Sequence, residues 1–116
     1  MNTVEVVDRG GREIVVFLSG DIDDALALQL RAAVEEVAEL VQISGLTHAV
    51  VDMHRVRSLG EVGLEFLRNL TARGEATGFE VSFAALTGPA HRAIETAGWE
   101  FVEKSPPPAP DAGGVR

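Results

Sequence analysis

Cysteine is absent from the 116 residues, and so is tyrosine. Without thiols there is no disulfide framework, no thiol nucleophile and no Cys-based metal site. Aromatic residues are few, five phenylalanines and Trp99, which argues against a base-stacking platform for nucleic acid. Positive charge is scarce: 10 bases stand against 18 acids, for a net charge of −8. That balance speaks against nucleic-acid binding, which needs a basic footprint, and disfavours docking on an anionic membrane. Long apolar runs are missing as well. None approaches the ~18 residues a membrane span needs, so no membrane insertion is expected. The N-terminus lacks the basic-then-apolar pattern of a signal peptide. The expectation is a cytoplasmic protein.

What is present suffices for one folded domain. Apolar residues make up 46% of the chain, enough for a core. The chain is organised around Ala49 to Leu70. An apolar run, Ala49-Val50-Val51, ends in Asp52. A short basic connection follows, with His54, Arg55 and Arg57. Gly60-Glu61-Val62-Gly63 then opens a segment with helical spacing at Leu64, Leu67 and Leu70. A strand feeding through a glycine turn into a helix places free backbone N–H groups and a partial positive charge at the surface. Glu61 falls in that first turn.

Around this centre the pattern alternates. Thr3–Val7 and Glu13–Leu18 read as strands joined by the turn signal Asp8-Arg9-Gly10-Gly11, hence an antiparallel hairpin. Ser19 to Asp23 ends the second strand and starts a helix, with Asp23 or Asp24 as N-cap. Leu26, Leu30, Ala33, Val34, Val37, Leu40 and Val41 form one stripe of a 3.6-residue period, and Ser44-Gly45 stops it. A helix between the hairpin and the strand His48–Asp52 implies a parallel crossover. A second helix is predicted from about Glu61 to Thr77, capped by Gly78 and weakened slightly by Gly74. A strand over Glu80–Leu86 follows, then a helix opened by Thr87-Gly88-Pro89 and capped by Gly98. That last helix should turn His91, Arg92 and Glu95 to solvent, and Ala90, Ala93, Ile94 and Ala97 to the core. Trp99 and Phe101-Val102 are expected to cover the last open edge. Residues 1–104 form the domain, and the Pro/Gly-rich segment 105–116 is expected to be a disordered tail.

Catalytic patterns are lacking. His48, His54 and His91 have no metal-ligand spacing, so no metal is expected. There is no Gly-x-Ser-x-Gly elbow and no phosphate-binding loop, and the acid inside Gly-Glu-Val-Gly would repel a phosphate. Ser19, Ser44, Ser58 and Ser82 have no base nearby in sequence. The expectation is a non-enzymatic protein without a cofactor. Asp21, Asp23 and Asp24 crowd the start of the first helix. Asp21 and Asp23 cannot both cap it, so one is left to meet a partner.

The ordered set of motifs resembles the STAS domain, and within it the small stand-alone anti-sigma factor antagonists of bacteria. The matching residues are Gly20-Asp21-Ile22-Asp23 before the first helix and Val50-Val51-Asp52 ahead of Gly60-Glu61-Val62-Gly63-Leu64. Gly78-Phe79-Glu80-Val81 and Ala97-Gly98-Trp99 complete the set, over roughly Val4 to Val102. The resemblance implies an α/β fold of STAS type: a mixed, mostly parallel sheet of four to five strands with flanking helices, in ββαβαβα order. It implies an anti-anti-sigma signalling role in transcription regulation. In that family the antagonist binds an anti-sigma factor that is a serine kinase and so frees a sigma factor. Phosphorylation of a serine at the start of the second helix adds about −1.5 to −2 charge and blocks binding.

By position Glu61 stands where that serine would be, Gly60 replaces the preceding Asp and Val62 the following Ser/Thr; only Gly63 and Leu64 are kept. The position is therefore not phosphorylatable. Glu61 is either a helix-start residue, worth about 0.3–1 kcal/mol with the dipole, or a fixed partial imitation of the phosphate. The implied partner-binding residues are Asp21, Asp23, Arg55, Arg57, Gly60, Glu61, Val62, Gly63 and Leu64, on a monomer or weak dimer. Two alternatives remain open: a STAS subunit or scaffold of another complex, such as a lipid or solute ABC transporter, and a nucleotide-binding module.

Overall fold

The computed structural model describes residues 2–98 and 103–104. Two strands come first, β1 (Thr3–Gly10) and β2 (Glu13–Ile22). Their two-residue loop, Gly11 and Arg12, takes positive φ at both positions (60° and 70°), the twist a tight hairpin needs. A 3-10 turn (Asp24–Leu26) leads into helix α1 (Ala27–Ser44), which stops at Gly45 in the left-handed conformation. Then come β3 (His48–Leu59), α2 (Glu61–Thr77), β4 (Glu80–Ala84), α3 (Gly88–Thr96) and the two-residue β5 (Glu103–Lys104). The sheet runs in the order β1-β2-β3-β4-β5. β1 pairs antiparallel with β2, and the other pairings are parallel. A crossover helix between each pair of parallel strands, α1, α2 and α3 in turn, is what this alternation demands.

One face of the sheet packs against the helices. Ile14, Val16 and Leu18 of β2, Ala49, Val51 and Met53 of β3 and Phe83 of β4 meet Leu30, Val34 and Val37 of α1 and Leu64, Leu67 and Leu70 of α2. The α1 stripe is as its periodicity predicts, with Arg31, Glu35, Glu36 and Glu39 exposed. Arg73 of α2 forms an ion pair with Glu35 of α1 and ties the two helices together at their surface. A smaller cluster, Val15, Val50 and Ala84 with Phe17, lies on the other side of the sheet.

Several expectations change. β2 does not end at Leu18; it continues to Ile22. His54 to Ser58 is not a connection but the second half of β3, paired with that extension of β2. β4 stops at Ala84, because Ala85 takes φ 56°. Gly74 is more than a weak point in α2: a Cβ there would sit 2.5 Å from the Phe79 carbonyl oxygen, so the helix end passes too close for any side chain. In α3, Ala90 and Ile94 are buried as expected, but Ala97 is exposed and lies just past the helix. Trp99, Phe101, Val102 and the segment 105–116 lie outside the described residues.

Candidate functional site

The register between β2 and β3 builds the site. Phe17 faces Asp52 and Ser19 faces Arg55, so β3 carries one extra residue there; Gly20 faces Val56 and Asp21 faces Ser58, so it carries another. Each irregularity breaks the two-residue alternation. From Met53 on, burial repeats every three residues: Met53, Val56 and Leu59 point into the core, while His54 with Arg55, and Arg57 with Ser58, are exposed in pairs. Bulges of this kind re-aim side chains at functional edges of sheets.

Asp21 is the first product of this register. Its carboxylate accepts from Ser58 Oγ at 2.8 Å and from the Arg57 guanidinium at 3.2 Å. Its backbone N–H donates to Asn2 Oδ1 at 3.0 Å. The Ser58 hydrogen bond, then Arg57, holds the Asp21 carboxyl below the usual aspartate range. Asp23, not Asp24, caps the 3-10 turn, accepting from the Ala25 N–H at 3.1 Å, while α1 itself starts after Leu26 without a side-chain cap. The sequence leaves one of these acids to a partner; in the structure Asp21 is engaged within the chain, and its cation is Arg57. Two further serine expectations also change. Ser58 has a carboxylate beside it, and the buried Ser82 hydroxyl pairs with His48 Nε2 at 2.8 Å.

The start of α2 is fixed by backbone rather than by a side-chain cap. Gly60 donates its N–H to the Ile22 carbonyl at 2.9 Å, and its own carbonyl accepts from Leu64 N–H at 3.0 Å. A Cβ on Gly60 would lie 3.3 Å from the Ile22 oxygen. At Gly63 it would lie 2.5 Å from Leu59 Cδ1 and 3.0 Å from Ile22 Cγ2. Both glycines let the helix begin against the ends of β2 and β3. Gly63 is buried and shapes the site from within, out of a partner's reach, and Val62 is half-buried toward α1. Glu61 is exposed in the first turn.

Glu61 also forms one wall of an open groove of about 690 Å³, which runs between the start of α2 and α3. Leu59 and Leu64 floor it, and Pro89, Arg92 and Ala93 close the far side. The contribution of α3 is not readable from sequence. It depends on Thr87, whose hydroxyl donates to the Val56 carbonyl at 2.9 Å and accepts from the Ala90 N–H, seating α3 beside the end of β3. Arg55 stands apart from this groove. It lines a separate cavity on the sheet face opposite the helices, with Phe17, Ser19 and His54.

The sequence profile of the family described as "Mlab, STAS domain" matches residues 5–102, with the Gly60 turn and the crossover helices α1 and α2 inside the match. The chain belongs to the STAS domain family. Among solved structures, this STAS domain is similar to an anti-sigma factor antagonist from Mycobacterium paratuberculosis, at 29% identity and a TM-score of 0.67 over 84% of this chain and 79% of that one. It shares its fold with the anti-sigma factor antagonist SpoIIAA in its unphosphorylated form, at 16% identity and TM-score 0.65 over 84% and 81% of the two chains. It also shares it with a Thermotoga maritima protein assigned as an anti-sigma factor antagonist, at 13% identity and TM-score 0.70 over 92% and 87%. No curated protein sequence matches significantly. The STAS assignment fits an α/β regulator. Among the described residues no helix is long and apolar enough to cross a membrane.

Proposed function

We propose that this STAS domain works by protein–protein contact in the cytoplasm, as an anti-sigma factor antagonist that binds an anti-sigma factor of the serine-kinase type and so releases a sigma factor. The contact face comprises Asp21, Asp23, Arg57, Gly60 and Glu61, with Leu64 on the floor of the groove beside them. The reading is supported by the likeness to the mycobacterial antagonist over most of both chains. The observation that carries it is local: a short polar cluster at the ends of β2 and β3 leads directly into an exposed helix start, with an open groove alongside.

The contact is not regulated at this position by phosphorylation. Gly60, Glu61, Val62, Gly63 and Leu64 contain no hydroxyl. A carboxylate at Glu61 supplies one permanent charge where a phosphate would supply nearly two. Affinity capture from the native host tests the partner: recovery of a sigma-regulating kinase is expected, and recovery of an ABC-type ATPase instead would overturn the reading. Incubation with that kinase and ATP, followed by peptide mass spectrometry, is expected to leave residues 60–64 unmodified. Calorimetry with GTP and ATP is expected to show no binding.

A further inference from the structure

His54 and Arg55 are exposed and lie off the contact face, yet they are held in place. Asp52 Oδ1 accepts from the His54 backbone N–H at 3.0 Å and from its Nδ1 at 2.5 Å. His54 Nε2 lies 3.2 Å from Arg55 Nε. An arginine Nε–H can only donate, so Nε2 is the acceptor and the imidazole proton sits on Nδ1, toward Asp52. The chain Asp52–His54–Arg55 therefore fixes the guanidinium through its Nε and leaves the terminal two-nitrogen edge unused. Among the described residues no carboxylate forms an ion pair with Arg55.

Arg55 lines a cavity of about 310 Å³ together with Thr3, Glu5, Phe17, Leu18, Ser19 and His54. The β1–β2–β3 register explains the grouping: Thr3 faces Ser19, Ser19 faces Arg55, and Glu5 faces Phe17. The cavity thus has a cation on one wall, an exposed carboxylate on the other and a half-buried aromatic ring between them, with two hydroxyls at one end. Glu5 likewise has no cation paired to it among the described residues.

We infer that this outer-face cavity binds a small zwitterion, an α-amino acid with an apolar side chain. Its carboxylate takes the open edge of Arg55, where two parallel N–H donors match two oxygens. Its ammonium meets Glu5, and its side chain lies on Phe17. Charge selects this class, in an open cavity whose volume is at the lower end of small-molecule sites, about 300–1,000 Å³. A nucleoside triphosphate would bring several negative charges toward Glu5 on a chain of net charge −8. The site is separate from the proposed contact with an anti-sigma factor and does not depend on it.

Amide-detected NMR titration of the full chain with the apolar α-amino acids, L-leucine and L-phenylalanine among them, tests the inference. The expected result is saturable shifts in the millimolar range or below, confined to the neighbourhoods of Thr3–Glu5, Phe17–Ser19 and His54–Arg55. Arg55→Gln and Glu5→Gln should each weaken binding by about tenfold or more, since each removes a charged hydrogen-bond partner. Both side chains are exposed, and an unchanged amide spectrum outside the cavity verifies the fold of each variant. 3-Phenylpropionate and phenethylamine, which carry one charged group each, should bind more weakly than L-phenylalanine. Absence of saturable shifts with every amino acid, wild-type affinity in both variants, or equal binding of 3-phenylpropionate would overturn the inference. So would GTP moving the same amides more tightly than any amino acid.

Discussion

Asp21, near the end of β2, ties that strand to two other segments: to Asn2, and to the end of β3 through Arg57 and Ser58. The sequence shows Asp21 and Arg57 as charges 36 positions apart, and each looks available to a partner. Only the second bulge of β3 sets them against each other, and nothing in residue order announces that register. The consequence is measurable by titration. The Ser58 hydrogen bond is the largest single cause of the lowered Asp21 carboxyl, and Arg57 adds to it through both a hydrogen bond and its charge. Ser58→Ala and Arg57→Gln should therefore each move the Asp21 midpoint up toward the ordinary aspartate range; carboxyl-carbon NMR reads both. The sign follows from the depression. The native state favours the ionised form, so the associated stability is present above the unfolded aspartate value. It fades as pH falls through the lower native value. Asp21→Asn should flatten the dependence of stability on pH in that acidic window and leave it unchanged near neutrality.

Elements were legible to the extent that their periodicity was regular. The stripes of α1 and α2 keep a 3.6-residue period, and the interior runs of β2, β3 and β4 keep their apolar character, so their presence and order follow from pattern alone. The second half of β3 was not legible. Its burial recurs every third residue, Met53, Val56, Leu59, which matches neither the strand nor the helix template, and so a basic loop was the natural reading. Glycine positions divide in the same way. Gly45 and Gly78 end helices in the left-handed conformation and are visible as stop signals. Gly74 is not, because what it avoids is the Phe79 carbonyl across the turn into β4. In an exposed helix Gly→Ala gains up to about 1 kcal/mol. At Gly74 a Cβ 2.5 Å from backbone oxygen must displace the α2–β4 turn, and overpacking of that kind costs about 1–3 kcal/mol. Gly74→Ala should therefore lower the urea midpoint, and a rise would show that the turn yields freely. Thr87→Ala removes both the N-cap of α3 and the bond to Val56. It should cost about 0.5–2 kcal/mol, and amide exchange should be fastest in α3 if that helix loosens from the end of β3.

At the scale of the molecule the family's architecture was readable, and under the proposed function one position, Glu61, bears on regulation. A parallel sheet with crossover helices brings the ends of β2 and β3 and the start of α2 to the same edge. Any ligand of that edge meets the partial positive charge of the helix start first. In the proposed reading, a hydroxyl there would give a reversible switch, and Glu61 gives a constant charge instead. The two roles of Glu61 predict different responses to a single change. If its charge stands in for phosphate, Glu61→Ser removes a repulsive or misplaced charge from the contact face. Affinity for the kinase-type anti-sigma factor should then rise, with the gain largest at low ionic strength, where charge at an exposed site is least screened. The same variant gains an acceptor hydroxyl at position 61, so kinase and ATP should add phosphate there and return the affinity toward that of the native chain. If Glu61 only begins the helix, the substitution should leave affinity unaltered across salt concentrations, because serine is also tolerated at a helix start. Surface plasmon resonance at two ionic strengths, before and after kinase treatment, separates these outcomes. An affinity that neither rises on substitution nor falls on phosphorylation assigns Glu61 to the helix alone and leaves recognition to Asp23, Arg57 and the groove between α2 and α3.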